Sequence, residues 1–213
     1  MENIYIVFSK TNTKIGWIVR KVLRYKYNHV SVCLNNKMYS FGRKYYQLPF
    51  VGGFTEENIY NNMYPKDTLN IRIFKISITH NQMLELNEMI EDLLDENTPY
   101  LYNLLTPINV LFKKEIKLYR THTCVTFIIY LLRTIGINID TKNNYNCESS
   151  ITPEDLNEIL KCYGYKDSII FKKNLNKDTY KLEQNYLKKF SFFQRVNKTI
   201  SFIISLNDRV ILK

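Results

Sequence analysis

Two side chains in this 213-residue chain could combine into a thiol nucleophile and its base. Cys124 stands in Thr121-His122-Thr123-Cys124-Val125-Thr126-Phe127, where a strongly apolar helical pattern begins. A helix start carries unpaired N–H groups and a positive partial charge. Both favour a thiolate, and the same N–H groups can hold an oxyanion. By position alone, a buried cysteine acting as a small hydrophobe fits equally well. His29 shifts the balance. It is one of only three histidines and opens the strand-like run Asn28-His29-Val30-Ser31-Val32. A thiol nucleophile needs a base within hydrogen-bond reach, and imidazole is the usual one.

A third group should orient the imidazole. Asn35-Asn36 suits a two-residue hairpin turn, because asparagine tolerates the positive φ that such a turn demands. The turn pairs Leu34 with Lys37, Ser31 with Ser40 and His29 with Gly42. Ser40 then lies diagonal to His29 on the same face and becomes the candidate orienting residue. His122, two residues before Cys124, could line the same cleft but reads better as a bystander. His80 reads as a surface residue at a helix start.

The elements that must position these groups follow from periodicity. Residues 3–8 alternate as a strand. Thr11–Tyr27 has a helical period, with Thr13 as its N-cap. His29–Leu34 and Lys37–Gly42 form the hairpin, and Gly52-Gly53 marks a loop. Asn70–Ile78 alternates as a further strand. Thr79–Leu94 is an acidic amphipathic helix with Met83, Leu86, Met89, Ile90 and Leu93 inward. Tyr100–Leu111 should pack on the core. Thr123–Ile135 is an apolar helix stopped by Gly136. Pro153 and the acidic pair Glu154-Asp155 open another helix, and Ile169–Phe171 suits a strand. This order predicts an α+β fold, an antiparallel sheet with helices on one side.

Composition bounds the function classes. Apolar residues make up 45% and charged residues 23%, which excludes a disordered chain. Neither a secretory leader pattern nor an 18-residue apolar run is visible, so a cytoplasmic protein is expected. The cysteines Cys33, Cys124, Cys147 and Cys162 form no C-x-x-C pair, which argues against zinc and against a disulfide framework. Net charge is +10 but uneven. Residues 1–50 and 171–213 are strongly basic, and residues 51–100 are acidic. A basic face could meet an anionic membrane surface or an acidic partner. No phosphate-binding loop or nucleic-acid motif accompanies the charge, so no nucleic acid partner is expected.

Taken together, "H-V-S" on an early strand, a hairpin ending in "Y-S-F-G-R", the late "T-C-x-x-F-I-x-x-L-L-x-x-x-G-I" and the following "I-T-P-E-D-L" resemble the circularly permuted papain-like thiol hydrolases. These form the permuted branch of the NlpC-type superfamily, related to YiiX-like and lecithin:retinol acyltransferase-like enzymes. The resemblance covers about residues 3–165. It implies a permuted papain-like domain over 1–170, with Cys124 as nucleophile and His29 as base. The family's third polar residue, often His, Glu, Asn or Gln on the strand after the histidine, falls on Ser40. Where many relatives carry "C-S-E-F", this chain has Cys124-Val125-Thr126-Phe127. The implied activity is hydrolysis of a peptide, amide or acyl-ester substrate through a thioester, with no cofactor or metal. A lipid-directed acyltransferase or lipase-like enzyme, and a non-catalytic binding module on the same fold, are the alternatives. Residues 171–213 lie outside the resemblance, as a basic amphipathic extension. In it Leu182, Tyr186, Phe190, Phe193, Ile200 and Ile204 recur at helical steps. Burial of that stripe predicts a helix over 180–206 packed on the domain rather than on a membrane.

Overall fold

The computed structural model describes residues 1–12, 17, 20, 21, 25–49, 51–64, 66–103, 118–139, 148–175 and 184–209. Among them eight strands and five α-helices are formed. In chain order these are β1 (Glu2–Ser9), β2 (His29–Leu34), β3 (Lys37–Arg43), β4 (Gly52–Glu56), α1 (Ile59–Met63), β5 (Leu69–Ile78), α2 (His80–Leu94), β6 (Leu101–Tyr102), β7 (Thr121–His122), α3 (Cys124–Thr134), α4 (Pro153–Cys162), β8 (Lys166–Lys172) and α5 (Phe192–Asn207). The strands join in one sheet of order β7-β6-β4-β3-β2-β1-β5-β8. Only the short β6–β7 pair is parallel. The expected α+β class holds.

Alternation of side chains decides which face of the sheet is core. Ile4, Ile6 and Phe8 of β1 are fully buried and join Val30, Val32 and Leu34 of β2 in the main hydrophobic cluster. Phe41, Phe54, Phe74 and Ile76 extend that cluster across β3, β4 and β5. Helix α3 contributes Phe127, Ile128, Leu131 and Leu132, all 0% exposed. Helix α2 buries Met83, Leu86, Met89, Ile90 and Leu93, the stripe its spacing predicts. The β2–β3 hairpin has the expected register, Leu34 opposite Lys37 and Val32 opposite Tyr39. Asn35 and Asn36 take φ of 49° and 62°, the left-handed pair that a two-residue turn requires.

Local chemistry sets the helix starts. Thr79, Thr123, Thr152 and Ser191 each cap a helix in a reciprocal box with the residue three positions on. Gly136, at φ 76°, ends α3 as expected.

Four expectations need correction. Gly52-Gly53 is not a loop but the start of β4, paired with Arg43 and Gly42 of β3. Two adjacent glycines weaken the sequence signature of a strand, yet the backbone needs them here. A Cβ on Gly53 would sit 2.7 Å from the carbonyl oxygen of Tyr100, and one on Gly52 would sit 2.6 Å from that of Gly42. The Ile169–Phe171 strand is longer, and as β8 it pairs with β5 from Lys166 to Lys172, across the expected boundary at 170. The C-terminal helix starts at Phe192, behind its Ser191 cap, rather than at 180. Its expected burial is partial: Tyr186, Phe190, Phe202 and Leu206 are covered, whereas Phe193 is 77% exposed and Ile204 54%. The Thr13 cap and most of the expected Thr11–Tyr27 helix lie outside the described residues, as do Leu182, Cys147 and residues 104–111. Among the described residues no helix is long and apolar enough to cross a membrane.

Replacing Gly53 with alanine should force β6 away from β4. The expected cost is about 1–3 kcal/mol, as for other overpacked sites. A melting curve should register it as a drop of roughly 2–4 °C per kcal/mol. An unchanged Tm would mean that β6 is free to shift.

Candidate active site

The sheet brings His29 and Cys124 together. His29 opens β2 and is 8% exposed; Cys124 is the first residue of α3 and is 5% exposed. Cys124 stands close enough to the imidazole to help raise its pKa. The cap oxygen Thr123 Oγ1 accepts from the N–H of Thr126, and Thr126 Oγ1 accepts from the N–H of Thr123. Helix α3 itself provides no acceptor for the N–H groups of Cys124 and Val125.

The orienting group is Glu57, not Ser40. His29 Nε2 lies 3.0 Å from both carboxylate oxygens of Glu57. Each side chain of this pair is 10% exposed. Asn62 Nδ2, from α1, donates to Glu57 Oε1 at 2.9 Å. Ser31 Oγ donates to Glu57 Oε2 at 2.5 Å and lies 3.3 Å from His29 Nε2. The carboxylate therefore meets His29, Ser31 and Asn62 together.

Ser40 has a different part. It does lie on the His29 face, as the hairpin register requires, and it is fully buried. Its hydroxyl makes no hydrogen bond of ordinary geometry. It stands close enough to Glu57 to favour the ionised carboxylate. Glu57 follows β4 directly and shares its face with Thr55, which pairs with Ser40. To reach β2 it must pass over β3, and a small side chain at 40 permits that. Gly42 adjoins the imidazole, but a Cβ there would meet His29 Cε1 at 3.6 Å, an ordinary contact.

Charge follows from this packing. Burial alone would lower the His29 pKa. The Glu57 carboxylate, the neighbouring Cys124 and the hydrogen bond that His29 donates to Glu57 outweigh it and raise the imidazole to about 10. Burial alone would raise the Glu57 carboxyl; the charged imidazole and its hydrogen-bond donors hold it down to about 2. At neutral pH the pair is thus imidazolium and carboxylate.

Tyr102 is the further side chain close to the thiol. Tyr102, on β6, has its phenol pushed well above the usual range by burial and by Cys124, with Arg43 acting against them. It stays a hydroxyl donor throughout the physiological range. Arg43 Nη2 donates to Tyr186 Oη at 3.1 Å. His122 stacks between Tyr100 and Tyr130, with ring centroids 6.2 and 5.4 Å away. Burial lowers its pKa to about 4, so it is neutral and cannot supply the positive partner of a thiolate. The bystander expectation for His122 agrees with this. His80 is on the surface, 2.7 Å from Glu2.

Glu57, Ser31, Asn62 and Tyr102 escaped the sequence reading. Taking Gly52-Gly53 for a loop hid β4, and with it the acidic residue at its end. The run Phe54-Thr55-Glu56-Glu57 after the glycines was the available signal. Among the described residues no group of three or more His, Cys, Asp or Glu side chains is set to hold a metal ion. Cys33 and Cys162 are free thiols away from this cluster. Comparisons with protein-family models, with curated proteins and with solved structures gave no match to this chain.

Proposed function

We propose that this protein is a cysteine-dependent hydrolase of amide or ester bonds, acting through a thioester on a permuted papain-like arrangement. The observation that carries this reading is the His29–Glu57 pair, nearly dry and in contact with a cysteine at a helix start. A structural cysteine needs no charged imidazole beside it, and a buried ion pair is a poor source of stability. The same groups make sense as a thiolate–imidazolium pair with an orienting carboxylate.

In the proposed reaction the Cys124 sulfur attacks the acyl carbon, and the carbonyl π electrons move to oxygen. The N–H groups at the start of α3 and the Tyr102 hydroxyl are suited to hold that oxyanion. Collapse restores the carbonyl and breaks the bond to the leaving amine or alcohol, which takes its proton from His29. Water then attacks the thioester, giving a proton to His29, and the carboxylic acid departs as the Cys124 sulfur is released. Glu57 binds His29 Nε2, which leaves Nδ1 to exchange protons with the thiol, the leaving group and water.

Hydrolysis of p-nitrophenyl butyrate, with mass spectrometry of trapped acyl-enzyme, tests this. Cys124→Ala should abolish turnover and the adduct. Glu57→Gln should lower kcat/KM by about 10²–10⁴-fold, the range of acid–base assistance. Tyr102→Phe should lower it by about 10²–10³-fold, the usual loss for one oxyanion donor. Ser40→Ala, which removes no bond to His29, should cost less than about tenfold. An acyl adduct on Cys162 or Cys33 instead of Cys124 would overturn the assignment.

The pH dependence has a definite sign. His29 has a folded pKa of about 10, above its ordinary 6.5, so its stabilisation is complete below 6.5 and lost as pH rises through 10. Glu57 has a folded pKa of about 2, below its ordinary 4.5, so its stabilisation is present above 4.5 and lost as pH falls through 2. Tm should therefore decline from neutral pH towards 10, and Glu57→Gln should flatten that decline. Activity should fall over the same alkaline limb, and Glu57→Gln should move the limb to lower pH. Equal slopes in both proteins would show that the pair is not charged as described.

A further inference from the structure

Helix α5 turns most of its apolar surface away from the domain. Phe202 and Leu206 anchor it, in a small cluster with Leu118 against which Val51 and Leu101 pack. At about 100° per residue, Phe192, Phe193, Val196, Ile200, Ile203 and Ile204 fall on one continuous arc beside that anchor. Their exposures run from 38% for Val196 to 77% for Phe193. Gln194, Asn197, Lys198, Ser201 and Ser205 occupy the remaining arc. Six large apolar side chains in one exposed patch mark an interaction surface rather than ordinary scatter.

We propose that α5 lies in the surface of an anionic membrane, with this arc among the acyl chains. Charge selects that occupant. Residues 184–207 contain Lys188, Lys189, Arg195 and Lys198 and no acidic residue, and all four are exposed. A second copy of this chain docked on the same face would bring two such cationic segments together. An anionic lipid surface attracts them while its interior takes the apolar arc. Lys188, just before the helix, and Lys198, on its polar side, both sit over the Phe190 ring, 5.9 and 5.6 Å from its centroid. At 16 residues α5 is not a membrane span, so it lies along the surface. Leu101, against which the anchor packs, directly precedes Tyr102, so the surface helix adjoins the Cys124 cluster through β6. Membrane binding does not require that Cys124 be catalytic.

Flotation of the full chain with vesicles tests the inference. Vesicles of phosphatidylcholine with phosphatidylserine should carry the protein, phosphatidylcholine alone should carry little, and added NaCl should release it. The triple variant Phe193→Ser, Ile200→Ser, Ile204→Ser should lower the bound fraction at least about tenfold. Its Tm should stay near the parent's, because the three positions are exposed. Lys188→Glu with Lys189→Glu should weaken binding to the anionic vesicles, again without change in Tm. Cys124→Ala should float like the parent, so a failed catalytic assignment leaves this test intact. Absent flotation, equal flotation on both vesicle types, or equal flotation of the triple variant would overturn the proposal. So would a dimer in solution that the triple variant dissociates while vesicles stay bare.

Discussion

A carboxylate and an imidazolium held out of water must each be fully met by partners, and this requirement organises one face of the sheet. Stripping water from two charges is costly, and their mutual attraction repays it only when the remaining polar sites are also filled. Here Glu57 takes hydrogen bonds from Asn62 and Ser31 in addition to its contact with His29. Three elements must therefore stay in register: β2 for His29 and Ser31, the end of β4 for Glu57, and α1 for Asn62. The intervening strand has to leave room for the carboxylate, and it places the small, fully buried Ser40 there.

The same crowding reaches the sheet edge. Gly52 and Gly53 let β6 approach β3 and β4 more closely than any side chain would allow. That approach puts Tyr102 near Cys124, at the capped start of α3, whose first N–H groups have no acceptor within the helix. The cluster is thus assembled from the ends of β2, β3, β4 and β6 around one helix terminus. Each contribution is short, and neutral His122 stacks between Tyr100 and Tyr130 just before the helix start. The C-terminal helix meets this edge through Leu101 and Val51 but spends only two of its large side chains on the domain. Its outer arc stays apolar and exposed beside the edge that carries Tyr102.

By itself the sequence determined what local rules control. Alternation along β1, β2 and β5, the Asn35-Asn36 turn and the stripe of α2 all depend on neighbours within a few residues, and they came out as read. So did the hairpin register, because turn length and inward alternation leave one solution. The pairing of His29 with Cys124 was legible because a helix start and a strand start are both local features carrying rare residue types. What closes around that pair was not legible. Glu57 reaches His29 across the intervening β3, Asn62 arrives from a helix of five residues, and Tyr102 from a strand of two. None has a periodic signature, and glycines needed for close approach resemble a loop. Whether an apolar stripe is covered is equally non-local: the spacing of α5 shows that it is amphipathic, but only the packing of Phe202 and Leu206 decides which arc faces the domain. Side-chain reach across strands depends on the twist and stagger of the assembled sheet, and those exist only once the long-range pairings have formed.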